Sequence, residues 1–176
     1  MATKGFIELL RLADKGKKRQ VSQIDPELRW SGVAFEMLGQ YFVAPLGDVA
    51  EVIYTPEWTV VPNTKIWSCG VANIRGRLLS IADLPAFISN VPTVFKPTSK
   101  TLCLTHTEHY CGVIVDQVFG IQHFNKRSYF KKADDKDLPH NLSEFCQGYF
   151  IYQNKPWHVF LLRDLLNNQN FMNPSM

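Results

Sequence analysis

From Trp30 onward the helical repeat of apolar residues disappears, and short apolar runs take its place. They fall at 33–38, 41–46, 49–54, 66–74, 78–83, 101–106, 110–118, 146–152 and 157–162. Runs this short, rich in Val, Ile, Phe and Tyr and divided by turn residues, suit strands far better than helices. Gly39-Gln40 and Asn154-Lys155-Pro156 read as turns. The expected class is therefore all-β. A chain of 176 residues with 45% hydrophobic and 12% aromatic residues can bury a core as one domain or as two small packed subdomains.

Three regions stand apart from this pattern. In residues 1–29, Phe6, Leu9, Leu10 and Ala13 recur at helical spacing and are followed by Lys15-Gly16-Lys17-Lys18-Arg19, which predicts a short amphipathic helix and a basic linker. Residues 88–100 hold Asn90, Pro92, Pro97, Thr98 and Ser99 and read as a connection between two half-domains. Residues 131–143 alternate in charge around Pro139 and read as a long surface loop. The core domain is expected over 30–167, with a C-terminal tail at 168–176.

Several function classes lose support. The net charge of +3 and pI near 8.7 fall short of a dense basic footprint. A rival reading as a β-barrel nucleic-acid binder would use Lys15, Lys17, Lys18, Arg19, Lys126, Arg127, Lys131 and Lys132, with Phe124, Tyr129 and Phe130 as stacking platforms, but Asp134, Asp135 and Asp137 follow at once and blunt the field. There is no phosphate-binding glycine loop, no dinucleotide fingerprint and no Gly-x-Ser-x-Gly elbow. No apolar run reaches 18 residues and no secretory signal is evident, so the chain is expected to be soluble and not to insert in a membrane.

The four cysteines, Cys69, Cys103, Cys111 and Cys146, form no Cys-x-x-Cys pair and read as reduced core thiols. Cys103, His106, His109 and Cys111 have the side-chain types of a zinc site. If Thr107-Glu108 is a hairpin tip, Cys103 lies opposite Gly112 and alternation sends the two thiols to opposite faces, although His106, His109 and Cys111 could share one. No metal, cofactor or catalytic residue is expected.

The stretch WSCGVANIRGRLLSIAD at 67–83 carries the sharpest signal. Two strand-like runs meet at Asn73-Ile74-Arg75-Gly76, where Gly76 supplies the positive φ of a tight reversal and Asn73 can bond the turn's backbone. Arg75 is then a fixed cation with no catalytic partner, a planar fork suited to a carboxylate or carbonyls on another surface. An ordinary hairpin with a solvated arginine fits the same residues. Asp116, closing the run GVIVD at 112–116, reads as a hydrogen-bonding device more readily than as a lone general base.

Across 30–166 the chain resembles the CheW-like family of chemotaxis coupling proteins. FVAPLGDVAEVI at 42–53, VPNTKIWSCGVANIRGRLLSIADL at 61–84, GVIVDQVFGI at 112–121, and FCQGYF and WHVFLLRDLL within 145–166 carry the resemblance in order. WSGVAFEMLGQYFVAPLGDVAEV at 30–52 and IVDQVFGIQHF at 114–124 are most similar to members serving type IV pilus twitching motility. Departures from the common pattern are Pro45, Gly47, Ser80 and the second cation Arg77.

The resemblance implies two packed five-stranded SH3-like β-barrels and a non-catalytic scaffold in the cytoplasm. One barrel would dock on the regulatory domain of a CheA-like histidine kinase. The groove between barrels would take the cytoplasmic tip of a methyl-accepting chemoreceptor, with no nucleic acid bound. By this analogy Arg75, Asn73 and Gly76 form the binding turn, Val49, Glu51 and Val52 face the kinase, and Asp116 and Val118 line the receptor groove.

Overall fold

Two-residue loops reverse the chain at Leu38-Gly39, Arg75-Gly76 and Gln153-Asn154, and in each both residues have positive φ, between 52° and 81°. That conformation matches the right-handed twist of paired strands. The loops join β1 (Arg29–Met37) to β2 (Gln40–Pro45), β4 (Ser68–Ile74) to β5 (Arg77–Asp83), and β10 (Cys146–Tyr152) to β11 (Lys155–Phe160). Two of these turns fall one residue earlier than the sequence suggests. The pairs Met37↔Gln40 and Tyr152↔Lys155 fix the register, so Leu38 and Gln153 accept the left-handed conformation without being glycine.

The computed structural model describes residues 25–104, 110–131, 138 and 140–176. The expected N-terminal helix, the Thr107-Glu108 tip and most of the charged 131–143 stretch lie outside the described residues. The remaining strands are β3 (Val49–Tyr54), β6 (Lys100–Leu104), β7 (Cys111–Val115), β8 (Gln117–Asn125) and β9 (Tyr129–Lys131). They form a six-stranded sheet, β8-β1-β2-β11-β10-β9, and a five-stranded sheet, β3-β6-β7-β5-β4. The expected all-β pair of small barrels is present, one of them with a sixth strand of three residues, β9. The five-stranded unit is inserted between β2 and β8, so the six-stranded unit is assembled from both ends of the chain.

Alternation along the strands produces three apolar layers. Ala34, Val43, Phe124, Phe150 and Trp157 fill the six-stranded unit, and Ala72, Leu79, Ile81, Cys103 and Ile114 fill the five-stranded one. Their sequence neighbours, Val33 and Phe35, Phe42 and Ala44, Leu102 and Leu104, Val113 and Val115, point the other way and meet in a seam between the sheets. Strands buried on both faces must be apolar at consecutive positions, which is why GVIV and FVA run without a polar break.

Short helices close the seam: α1 (Leu84–Ser89), α2 (His140–Ser143), α3 (Leu162–Asn167) and α4 (Gln169–Met172). The Asp83 carboxylate caps α1 by accepting from Ala86 N at 3.0 Å, and accepts from Thr93 N and Oγ1 at 3.1 and 2.8 Å. Burial raises its pKa above the usual carboxylate value, and these hydrogen bonds oppose the rise. The connection read at 88–100 thus begins inside a helix. Leu142, within the stretch read as a surface loop, is buried in the seam.

The residues read as a C-terminal tail are packed. Phe171 stacks on Trp67 with centroids 5.2 Å apart, Phe87 meets both edge-on, and Lys65 N donates to Pro174 O at 2.7 Å. Phe171→Ala should therefore cost about 3–5 kcal/mol, as truncation of a buried aromatic does. A denaturant midpoint unchanged from wild type would show that α4 does not hold the seam.

Candidate partner-docking site

The β4–β5 hairpin is built by the residues that precede and follow its arginine. Asn73 Oδ1 accepts from Gly76 N at 2.8 Å, and Gly76 sits at φ 81° with open space where a Cβ would lie. Backbone conformation, not crowding, therefore demands glycine here. Asn73 and Gly76 shape the turn as expected, and Arg75, at φ 53°, presents the side chain.

Arg75 Nη1 lies 3.2 Å from Glu51 Oε2, with 45% of the arginine side chain exposed against 12% for the glutamate. The two residues come from opposite ends of the five-stranded sheet order, since Glu51 is on the β3 edge and Arg75 leaves the β4 edge. The sheet's curl brings them together. Glu51 Oε1 accepts from the Tyr110 hydroxyl at 2.8 Å, and the Arg77 guanidinium stands 4.3 Å above the Tyr110 ring. An ion pair this exposed contributes about 0.2–1 kcal/mol to stability. Its larger effect is to hold a half-exposed guanidinium at a turn tip in one orientation.

Sequence reasoning missed Tyr110. An aromatic directly ahead of the buried run of β7 carries no distinctive pattern, and its partner Glu51 is 59 residues away in the chain.

The other expected site residues are spread more widely. Val52 is 5% exposed and belongs to the seam, so its side chain is core and does not face a partner. The reason is a register shift between Val49 and Glu51, which leaves Ala50 outward and turns Val52 in. Val49 and Val118 are half-buried against the same seam. Asp116 sits where the chain crosses from one sheet to the other. Its carboxylate accepts from Leu38 N at 2.9 Å, its backbone N–H donates to Glu36 O, and its carbonyl accepts from Thr98 Oγ1. It ties three segments together, in keeping with the hydrogen-bonding reading. The structure thus groups Arg75, Asn73, Gly76 and Glu51 and leaves Val52, Asp116 and Val118 elsewhere.

The thiols are placed for packing. Cys103 pairs with Gly112 and lies inside the five-stranded unit, whereas Cys111 lies in the seam, on the other face. Burial pushes the Cys69, Cys103 and Cys111 thiols up to about 12, with Asp83 adding to the effect at Cys69 and Glu51 at Cys103. Such thiols stay protonated at neutral pH and are poor nucleophiles. His106 and His109 lie outside the described residues. Iodoacetamide at pH 9 should label these three cysteines slowly in the native protein and readily in denaturant. Rapid native labelling of any of them, mapped by mass spectrometry, would contradict the placement.

The rival nucleic-acid reading fares poorly. Phe124 is 1% exposed, and Tyr129 packs against the interior of the six-stranded unit. Phe130 is exposed but stacks on Tyr149 at 5.2 Å. These three rings do not make a row of free stacking faces.

Two stacked small β units joined along a seam, with an arginine presented on an Asn-x-Arg-Gly turn, define a class, and the comparisons agree. The model of the CheW-like domain matches residues 31–170, and the chain belongs to that family. Protein PilI of Pseudomonas aeruginosa is 39% identical over 143 residues, covering 81% of this chain and 79% of that protein. Among solved structures, the scaffolding protein TtCheW from Thermoanaerobacter tengcongensis superposes with a TM-score of 0.64 at 19% identity, over 74% of this chain and 88% of that one, a likeness of fold.

Proposed function

We propose that the protein is a non-catalytic adaptor that couples a methyl-accepting chemoreceptor to a CheA-like histidine kinase in a chemosensory system controlling type IV pilus twitching motility. Membership of the CheW-like family and the similarity to PilI support the adaptor class and the pilus setting. It would work in the cytoplasm, held at receptor arrays through its partners. Among the described residues, no helix is long and apolar enough to cross a membrane.

The observation that carries the reading is Arg75, fixed at a hairpin tip, half-exposed, and paired with a carboxylate that a partner's carboxylate or carbonyl can supplement. An adaptor transmits a signal only if it contacts the two states of its partner differently. A preset cation suits that requirement, because the guanidinium fork rewards one approach angle over others. The kinase regulatory domain and the receptor tip are the expected partners.

Arg75→Ala should weaken binding to one of them by about 1–3 kcal/mol, roughly 5- to 150-fold, with melting close to wild type. Calorimetric titration against each partner separately reads this out. Undiminished affinity for both would remove Arg75 from the interface, and early melting would mark it as structural.

A further inference from the structure

Four contacts converge on Tyr110, one of them a side-chain hydrogen bond with Cys103. Its hydroxyl donates to Glu51 Oε1 at 2.8 Å, leaving Glu51 Oε2 for Arg75 Nη1 at 3.2 Å. Its ring lies under the Arg77 guanidinium at 4.3 Å. Its backbone carbonyl accepts from Ser80 N at 3.0 Å, which fastens it to β5 just below the hairpin. The series Arg77, Tyr110, Glu51, Arg75 therefore runs from β5 across the head of β7 to β3 and back to the tip that β4 and β5 share.

Glu51 alone would hold Arg75 loosely. A carboxylate on a flexible side chain sweeps a wide arc, and a partly solvated ion pair is weakly directional. With one oxygen engaged by a phenol whose ring is itself pinned, the other oxygen has a defined position. Burial, and then the bond to Glu51, raises the Tyr110 pKa, so the phenol remains the donor at neutral pH. The same series gives Arg77 a role, although the second cation departs from the common family pattern: it packs on the ring that sets the first.

We propose that Tyr110 is a positioning residue for partner docking, acting through Glu51 to orient the Arg75 guanidinium. The proposal rests on the coupling function argued above, in which Arg75 meets a partner directly. Tyr110 also lines a groove of about 360 Å³ with Leu78, Cys111, Phe171, Met172 and Pro174. The informative variant is therefore Tyr110→Phe, which keeps the ring over the groove and under Arg77 and removes only the hydroxyl.

The test is a cycle of wild type, Tyr110→Phe, Arg75→Ala and the double variant, titrated against the kinase regulatory domain and the receptor tip. Tyr110→Phe is expected to weaken the partner that reads Arg75 by about 2- to 10-fold, the range for loss of one hydrogen bond. In the Arg75→Ala background the same change should alter affinity less than about 2-fold, because a residue acting through Arg75 has nothing left to position. No loss in the single variant, or an equal loss in both backgrounds, overturns the proposal.

Nitrogen NMR of the Arg75 guanidinium in the protein alone separates this failure from that of the coupling function. Restricted rotation of the terminal nitrogens in wild type, relaxed in Tyr110→Phe, supports positioning. Identical behaviour in the two proteins overturns it even if both partners bind. If wild type binds neither partner, the coupling function falls, and the resonances still decide whether Tyr110 orients Arg75.

Discussion

An apolar seam between the two sheets holds the molecule together. Each unit is too small to bury enough surface alone, and each sheet has a second apolar face that must be covered. Phe35, Phe42 and Phe160 from the six-stranded sheet meet Leu102, Val113 and Val115 from the five-stranded one in a single cluster. Because the five-stranded unit, one contiguous stretch of chain, is inserted between β2 and β8, the six-stranded sheet is assembled from the segments on either side of it. The seam joins them into one cooperative body, closed at one end by Trp67, Phe87 and Phe171.

A protein built this way has little free surface on its strands. With central strands buried on both faces, partners are left with turn tips, sheet edges and the short helices. The Arg75 turn is such a tip, and its shape is set by Asn73 and Gly76, whose roles are conformational. The charge network at the tip spans the sheet from edge to edge and contributes modestly to stability. In the proposed function it orients the Arg75 guanidinium, as an adaptor needs if its contacts are to differ between the states of its partners.

Most of the strands are legible in the sequence, because central strands with both faces buried produce short continuous apolar runs such as FVA at 42–44 and GVIV at 112–115. The Asn73-Arg75-Gly76 turn was legible because each residue has a local task. What escaped was non-local or short. The β8 strand, Gln117–Asn125, mixes Gln122, His123 and Asn125 with its apolar residues, and β9 has three residues. The helix Leu84–Ser89 is buried on most sides and so lacks an amphipathic stripe. Family analogy points to Glu51, but its pairing with Arg75 and Tyr110 depends on sheet curl that no local pattern encodes. The same analogy points to Val52, which lies in the seam because the register shift at Ala50 reverses the alternation.

In the proposed function one folded body holds two partners together. Sedimentation velocity of an equimolar mixture of this protein, the kinase regulatory domain and the receptor tip decides whether it does. A species heavier than either binary complex, containing all three chains, is expected. Two binary complexes that exclude each other, or a protein that sediments alone beside both partners, would contradict it.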